Sequence, residues 1–253
     1  MYPQIKHNIN ELIIDPFGNY FLQKLIDKLH ITYIKEMFEL YFPNDFLDIC
    51  LNQHGTRVVQ KLLDKGYKDP NFLDNFNQCL HPNLMKLILN QNATHIIIKY
   101  VSLISYPKNQ FIINFPGDEV QTISTNKHSC CTYQKCILLV GKLQQKKLIM
   151  SVVSIADLLF NNSFGNYLIQ FVLNIEDNEA NNIIISKYFS NFYYYVSQKC
   201  SSNVFEKCFE YCSSEMKNQI IENLCKPQIV EKLLFNMYGN YSKFIYMLIY
   251  IFL

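Results

Sequence analysis

An all-α solenoid of about seven three-helix repeats is the fold this sequence predicts. Three observations predict it. First, a six-residue motif returns at a nearly fixed interval. With its second residue as the marker, the copies stand at 19, 56, 94, 130, 166, 202 and 240, which are 37, 38, 36, 36, 36 and 38 residues apart. A period in that range is how stacked supersecondary units appear in a sequence. Second, apolar residues around the motif recur at helical spacing. Third, no Gly/Ser-rich linker or break in composition divides residues 1–253, so one domain is expected.

Taken in chain order, the first copy reads Gly18-Asn19-Tyr20-Phe21-Leu22-Gln23. The second unit shows the plan most fully. Asp45-Phe46-Leu47-Asp48-Ile49-Cys50-Leu51 is a short apolar-periodic segment, and Asn52-Gln53-His54-Gly55 is a polar turn in which His54 precedes the motif glycine. From Arg57 onward, Val58, Val59, Leu62 and Leu63 fall on one helical face, and Gly66 is the expected stop. The third copy is Ala93-Thr94-His95-Ile96-Ile97-Ile98, with another apolar-periodic stretch expected from Ile113-Asn114 onward. Ser129-Cys130-Cys131-Thr132-Tyr133-Gln134 is the fourth. Gly165-Asn166-Tyr167-Leu168-Ile169-Gln170 restates the first copy and is followed by a periodic stretch from Ala180 to Phe189. Ser201-Ser202-Asn203-Val204-Phe205-Glu206 and Gly239-Asn240-Tyr241-Ser242-Lys243-Phe244 complete the series. Each unit should therefore hold two long helices and one short one. The closing run Phe244–Leu253 is apolar, but a bilayer span needs about 20 residues. A buried terminal helix is expected there, and no membrane association.

Bulk composition narrows the function classes. Apolar residues make up 49% of the chain, which excludes a disordered polymer. The net charge of +2, from 23 basic and 21 acidic residues, excludes a strongly basic coat, so any nucleic-acid binding must come from a local groove. The nine cysteines contain no Cys-x-x-Cys pair. They read as reduced thiols of a cytosolic or nuclear protein. Cys208 and Cys212 can share a helix face but read as small core residues rather than a metal pair. No metal site and no cofactor is expected. His7, His30, His54, His81, His95 and His128 show no nucleophile or metal spacing, and no phosphate-cradling glycine loop is present, so enzymatic activity is not expected.

Within each motif the second, third and sixth residues sit at i, i+1 and i+4 of a helix, so i and i+4 lie one turn apart on one face. The i and i+4 residues are Asn19/Gln23, Thr56/Gln60, Thr94/Ile98, Cys130/Gln134, Asn166/Gln170, Ser202/Glu206 and Asn240/Phe244. Between them stand Tyr20, Arg57, His95, Cys131, Tyr167, Asn203 and Tyr241. Two edge-directed polar groups beside a flat or cationic group suit one exposed base, the first pair bonding its edge and the third residue stacking on it. Asn, Ser and Thr are also good helix caps. A capping box, however, spaces its Glu or Gln three residues from the cap, not four, and capping gives no reason for Tyr, Arg or His at i+1. Periodicity leaves two classes open, an RNA-binding array and a protein-binding helical scaffold.

Repeats of about 36 residues carrying Gly-Asn-Tyr-x-x-Gln resemble those of the Pumilio (PUF) family of RNA-binding proteins. Gln110-Phe111-Ile112-Ile113, then Ile123-Ser124-Thr125, then Cys130 with Gln134 resembles that family's fifth repeat. Val196-Ser197-Gln198-Lys199 with Ser202-Asn203-Val204-Phe205-Glu206-Lys207-Cys208 resembles its seventh, and the Asn166 and Asn19 copies fit its sixth and second. The resemblance covers nearly the whole chain. It implies a right-handed crescent whose concave face binds single-stranded RNA, one base per repeat, with the RNA antiparallel to the protein. In the family's code Asn with Gln reads uracil, Ser with Glu guanine and Cys with Gln adenine. This implies a site 5′-UGUA-n-AU in 3′ untranslated regions of mRNA, with deadenylation or translational-repression factors as partners. A monomer acting in the cytoplasm is expected, with the nucleus or nucleolus as alternatives. A Pumilio-like ribosome-biogenesis factor of low base selectivity is the alternative within the family.

Three positions depart from the family's pattern. Ile98 stands where Gln is expected, Cys131 where Arg usually stacks, and Phe244 where Gln is expected. A full first repeat and both end caps are also missing from the pattern.

Overall fold

A computed structural model describes residues 2–224 and 226–238. Among these residues every regular element is a helix. The opening helix α1 (Tyr2–Ile5) precedes the first repeat, made of α2 (Ile9–Ile14), α3 (Gly18–Lys28) and α4 (Ile31–Tyr41). The second repeat is α5 (Phe46–Leu51), α6 (Gly55–Gly66) and α7 (Pro70–Leu80). The third is α8 (Leu84–Leu89), α9 (Thr94–Leu103) and α10 (Gln110–Ile113); the fourth is α11 (Gly117–Thr125), α12 (Ser129–Leu139) and α13 (Lys142–Ser154). The fifth comprises α14 (Ala156–Phe160), α15 (Gly165–Leu173) and α16 (Asn178–Ser190); the sixth, α17 (Phe192–Val196), α18 (Ser201–Tyr211) and α19 (Ser214–Leu224). A seventh begins with α20 (Pro227–Leu234). The expected division into one short and two longer helices holds in five of these six complete units.

The third unit is the exception. The periodic stretch expected from Ile113-Asn114 onward is not a helix of that repeat: α10 ends at Ile113, and Asn114 leaves the helical region with φ −100° and ψ 62°. Helix resumes only at Gly117, as the first helix of the next unit. Pro116 is the physical reason, because proline lacks an N–H to continue a helix and disfavours helical backbone at the residue before it, Phe115.

Two compact units divide the chain, Met1–Glu119 with Cys131–Gln145, and Val120–Cys130 with Lys146–Leu253. In the first, α3 packs against α6 and α6 against α9, so the motif helices lie side by side. Behind them Phe38 gathers Phe42, Phe72 and Phe76 at ring distances of 5.6, 5.2 and 5.6 Å, and Phe76 meets Tyr100 at 6.3 Å. This aromatic spine joins three repeats through a single core. Tyr100 Oη donates to Asn77 Oδ1 at 2.8 Å, and burial pushes its phenol up to about 12. In the second unit α15 packs on α18. Its core centres on Tyr188, which lies 5.3 Å from the Phe160 ring and 5.2 Å from Tyr195, and donates to Ser201 O at 2.8 Å.

Gly66 does close α6, as expected. It does so without a left-handed backbone, since no glycine among the described residues has positive φ. A Cβ at Gly66 would lie 2.4 Å from the Phe72 ring, so close approach of α7 is what requires glycine.

Candidate nucleic-acid interface

Five of the six described motif helices are started by an Asp or Asn four positions before the marker; the sixth repeat has Gln198 there and lacks this turn. Asn52 Oδ1 accepts from the N–H groups of His54 and Gly55 at 2.8 and 3.0 Å. Asp15, Asn90, Asn126 and Asn162 make the same paired bonds in the first, third, fourth and fifth repeats. These Asx turns satisfy the first free N–H groups of the helix. In these five repeats the marker is thereby relieved of capping, which removes the competing explanation for Asn19, Thr56, Thr94, Cys130 and Asn166. The signal lies in the sequence as an Asp or Asn at a constant offset, at 15, 52, 90, 126 and 162.

One residue before the marker, only small side chains fit. A Cβ on Gly55 would lie 2.4 Å from Ile49 O, and those on Gly18 and Gly165 would lie 2.8 Å from Leu12 and Leu159 side chains. Where serine stands instead, its hydroxyl bonds the carbonyl six residues back: Ser129 to Ile123 O at 2.6 Å and Ser201 to Tyr195 O at 2.7 Å. The short helix of each repeat is thus pressed against the start of its motif helix.

That pressure buries the marker. Asn19, Thr56, Thr94, Cys130, Asn166 and Ser202 are all buried, the i+4 residues Gln23, Gln60, Ile98, Gln134, Gln170 and Glu206 are half-buried, and the i+1 residues Tyr20, Arg57, His95, Cys131, Tyr167 and Asn203 are exposed. Asn19 uses Nδ2 on the carbonyls of Asp15 and Pro16, at 2.8 and 2.9 Å, and accepts from Gln23 Nε2 at 3.0 Å. Asn166 repeats this with Asn162 O and Gln170 Nε2, at 2.8 and 3.1 Å. In both pairs the asparagine anchors the glutamine, which keeps one amide N–H and its carbonyl oxygen for a further partner. Thr94, Cys130 and Ser202 donate to the carbonyl three residues back, those of Gln91, Lys127 and Lys199. Asn240, Tyr241 and Phe244, with the closing apolar run, lie outside the described residues.

In the first two repeats the exposed i+1 residues meet. Arg57 Nη1 donates to Tyr20 Oη at 2.7 Å, and its guanidinium carbon lies 5.7 Å from the Tyr20 ring centre. Lysines one position after the i+4 residue are drawn into structural pairs with the preceding repeat: Lys61 with Asp27 and Lys99 with Asp64, each at 2.6 Å. The Lys61 ammonium in turn lowers the Asp27 carboxyl from its usual range. Such pairs explain how a chain of near-zero net charge spends its basic residues on stacking the repeats. Cys208 is fully buried, and burial raises its thiol well above the ordinary value. Its neighbour Cys212 is buried with Sγ 3.3 Å from Phe209 O. Among the described residues no helix is long and apolar enough to cross a membrane.

Stacked three-helix units, each presenting a buried anchor and an exposed side chain, with a half-buried amide or carboxylate in five of the six, define a helical-repeat protein. A model of the Pumilio-family RNA binding repeat matches residues 8–39, 45–69, 119–154 and 191–225. The chain belongs to the Pumilio (PUF) family of RNA-binding repeat proteins. It is 30% identical over 95% of its length to the putative pumilio homolog 8, chloroplastic, of Arabidopsis thaliana, and covers 47% of that protein. It is 35% identical over 82% of its length to suppressor protein MPT5 of Saccharomyces cerevisiae, covering 25% of it. The chain thus spans about half or less of these curated relatives. Among solved structures it is similar to the RNA-binding domain of yeast Puf5p bound to AAT2 RNA, with a TM-score of 0.77 and 30% identity, covering 96% of this chain and 72% of that one. It is also similar to the Puf4 RNA binding domain bound to the HO endonuclease RNA 3′ UTR recognition sequence, with a TM-score of 0.81 and 27% identity, covering 94% and 74%.

Proposed function

We propose that this protein binds single-stranded RNA sequence-specifically, at 5′-UGUA-n-AU elements in mRNA 3′ untranslated regions, and represses or destabilises the bound transcripts. One observation carries the reading: five motif helices repeat the same buried anchor, exposed i+1 residue and polar i+4 residue, while the residue types at those positions change. A constant frame with a variable polar layer is what base-by-base readout requires. Ser202 with Glu206 supplies a carboxylate to the N1 and N2 donors of guanine, which uracil does not present in that arrangement. Asn19/Gln23 and Asn166/Gln170 supply the uracil sites, Cys130/Gln134 and Thr56/Gln60 the adenines. The half-buried Ile98 has no polar edge to offer, so the base at its repeat is free to vary. Asn240 with Tyr241 is assigned the first uracil by the family's code alone. Similarity to domains solved with RNA, one of them on a 3′ UTR recognition sequence, supports the substrate class. We place the protein in the cytoplasm as a monomer that recruits deadenylation or translational-repression factors.

Selection of bound sequences from a random RNA pool tests this reading. Enrichment of UGUA is the expected result. Equal affinity for a scrambled RNA overturns it, in favour of a low-selectivity RNA binder or a protein-binding scaffold.

A further inference from the structure

We propose that Asn92 is a positioning residue for base recognition by the second repeat, acting through Thr56 and Gln60; this rests on the reading of those two residues as RNA contacts. Asn92 lies in the turn before α9 and bonds in two directions. Its Nδ2 donates to Leu51 O at 2.8 Å, and Leu51 is the last residue of α5. Helix-end carbonyls lack a partner in their own helix, so this bond has a strong physical reason to form. The Asn92 carbonyl, in return, accepts the Thr56 hydroxyl at 3.1 Å. Asn90 Oδ1 holds the Asn92 N–H at 2.8 Å and completes the fixing of the turn.

Thr56 differs in this from its counterparts. Thr94, Cys130 and Ser202 donate to a carbonyl three residues back in their own turn. Thr56 instead crosses to the next repeat. With its proton on Asn92 O, the Thr56 oxygen turns a lone pair to Gln60, whose Nε2 lies 3.5 Å from Thr56 Oγ1 and 3.2 Å from Thr56 O. The relay therefore runs from Leu51 O through Asn92 and Thr56 to Gln60, and it adds a second acceptor to the Thr56 carbonyl that holds the Gln60 amide nitrogen inward. Its Oε1 and second N–H are left for a base edge in one defined orientation. Without the Asn92 amide the turn loses its hold on α5, Thr56 becomes free to turn to Gln53 O, and Gln60 keeps only its bond to the Thr56 main-chain carbonyl. The loss falls on discrimination at the base read by Thr56 and Gln60, not on RNA binding as a whole.

The test measures affinities of the full chain for 5′-UGUAUAU, its three variants at the sixth base, and a variant lacking the G at the second base. Asn92→Ala should reduce the preference at the sixth base about fivefold, the worth of one neutral hydrogen bond, and leave the preference for G at the second base intact. Asn92→Asp, which keeps the shape but cannot donate to Leu51 O, should do the same and serves if the alanine variant does not fold. In a Thr56→Val background Asn92→Ala should reduce selectivity no further. The inference is overturned if sixth-base preference survives in the Asn92 variants while G preference persists. It is also overturned if all preferences fall in parallel, or if the Thr56→Val background leaves the Asn92 effect undiminished, because each of these marks a purely structural role. Loss of G preference in the parent protein overturns the underlying reading instead, since that contact belongs to Glu206.

Discussion

Tyr20 and Arg57, 37 residues apart, form one pair joined by a hydrogen bond and a cation–π contact: Nη1 reaches Oη at 2.7 Å with the guanidinium carbon 5.7 Å from the ring centre. Both side chains are exposed, so the bond adds little to folding. Its effect is to hold two flat groups, from α3 and α6, in a fixed relation before any base arrives. On the proposed RNA-binding function, a base slotted beside either group would meet a surface that is already ordered.

Truncating either partner should therefore weaken RNA binding with little change in melting temperature. Tyr20→Ala or Arg57→Ala is expected to cost about 1–3 kcal/mol of affinity, the usual worth of one stacking platform. Tyr20→Phe keeps the ring and should lose less. Fluorescence polarisation at constant salt, beside a thermal melt, separates the two effects.

Exchanging the sixth repeat's residues should rewrite one base. Ser202→Asn with Glu206→Gln recreates the Asn19/Gln23 arrangement, in which the amide of the marker anchors a glutamine. Preference at the second base should move from G to U in competition binding. Retention of G would remove Glu206 from the role of reader.

Gly55→Ala should destabilise the fold by about 1–3 kcal/mol, as overpacking does. Its Cβ would meet a backbone atom, Ile49 O, at 2.4 Å, and backbone yields less than a side chain. Gly165→Ala meets first a leucine methyl at 2.8 Å and should cost less. Denaturant midpoints of the two variants should preserve that order.

Asn162→Ala removes an Asx turn that holds the Phe164 and Gly165 N–H groups at 2.9 and 2.8 Å. A loss of about 1 kcal/mol in stability is expected, in line with other helix starts. Asn162→Asp retains the acceptor and should be nearly neutral in chemical denaturation.

Acid should loosen the junction of α13 and α16. The Lys146 ammonium, 2.5 Å away, and the Ala180 N–H, 2.9 Å away, hold the Asp177 carboxyl below its usual range, against a smaller opposing effect of burial. A depressed carboxyl contributes stability in full above its unfolded value of about 3.9, and loses it as pH falls through the folded value. Asp177→Asn should flatten the acid limb of a melting-temperature profile. An unchanged limb would show that this pair contributes nothing to the acid response.

Much of this molecule was legible in the amino acids alone. The interval between markers gave the repeats, and Val58, Val59, Leu62 and Leu63 gave the buried side of α6, because periodic burial must appear as periodic hydrophobicity. Burial of Asn19 and Asn166 was not legible. It depends on how closely α2 and α14 approach, which is set by Leu12 and Leu159 against a missing Cβ. Nor was the shortened third unit, where the apolar run through Ile113 continues the expected period but proline stops the backbone. The Thr56 bond to Asn92 has no local signal at all, since it spans 36 residues.

The row of small residues before the markers has a consequence for how such a protein can change. Gly18, Gly55, Ser129, Gly165 and Ser201 hold the start of each helix through their own backbone and hydroxyl contacts. Structural fit is thereby concentrated in buried positions, and the exposed i+1 positions carry little of it. New specificities can then be explored one module at a time, because an exchange at the outer layer leaves the folding problem already solved.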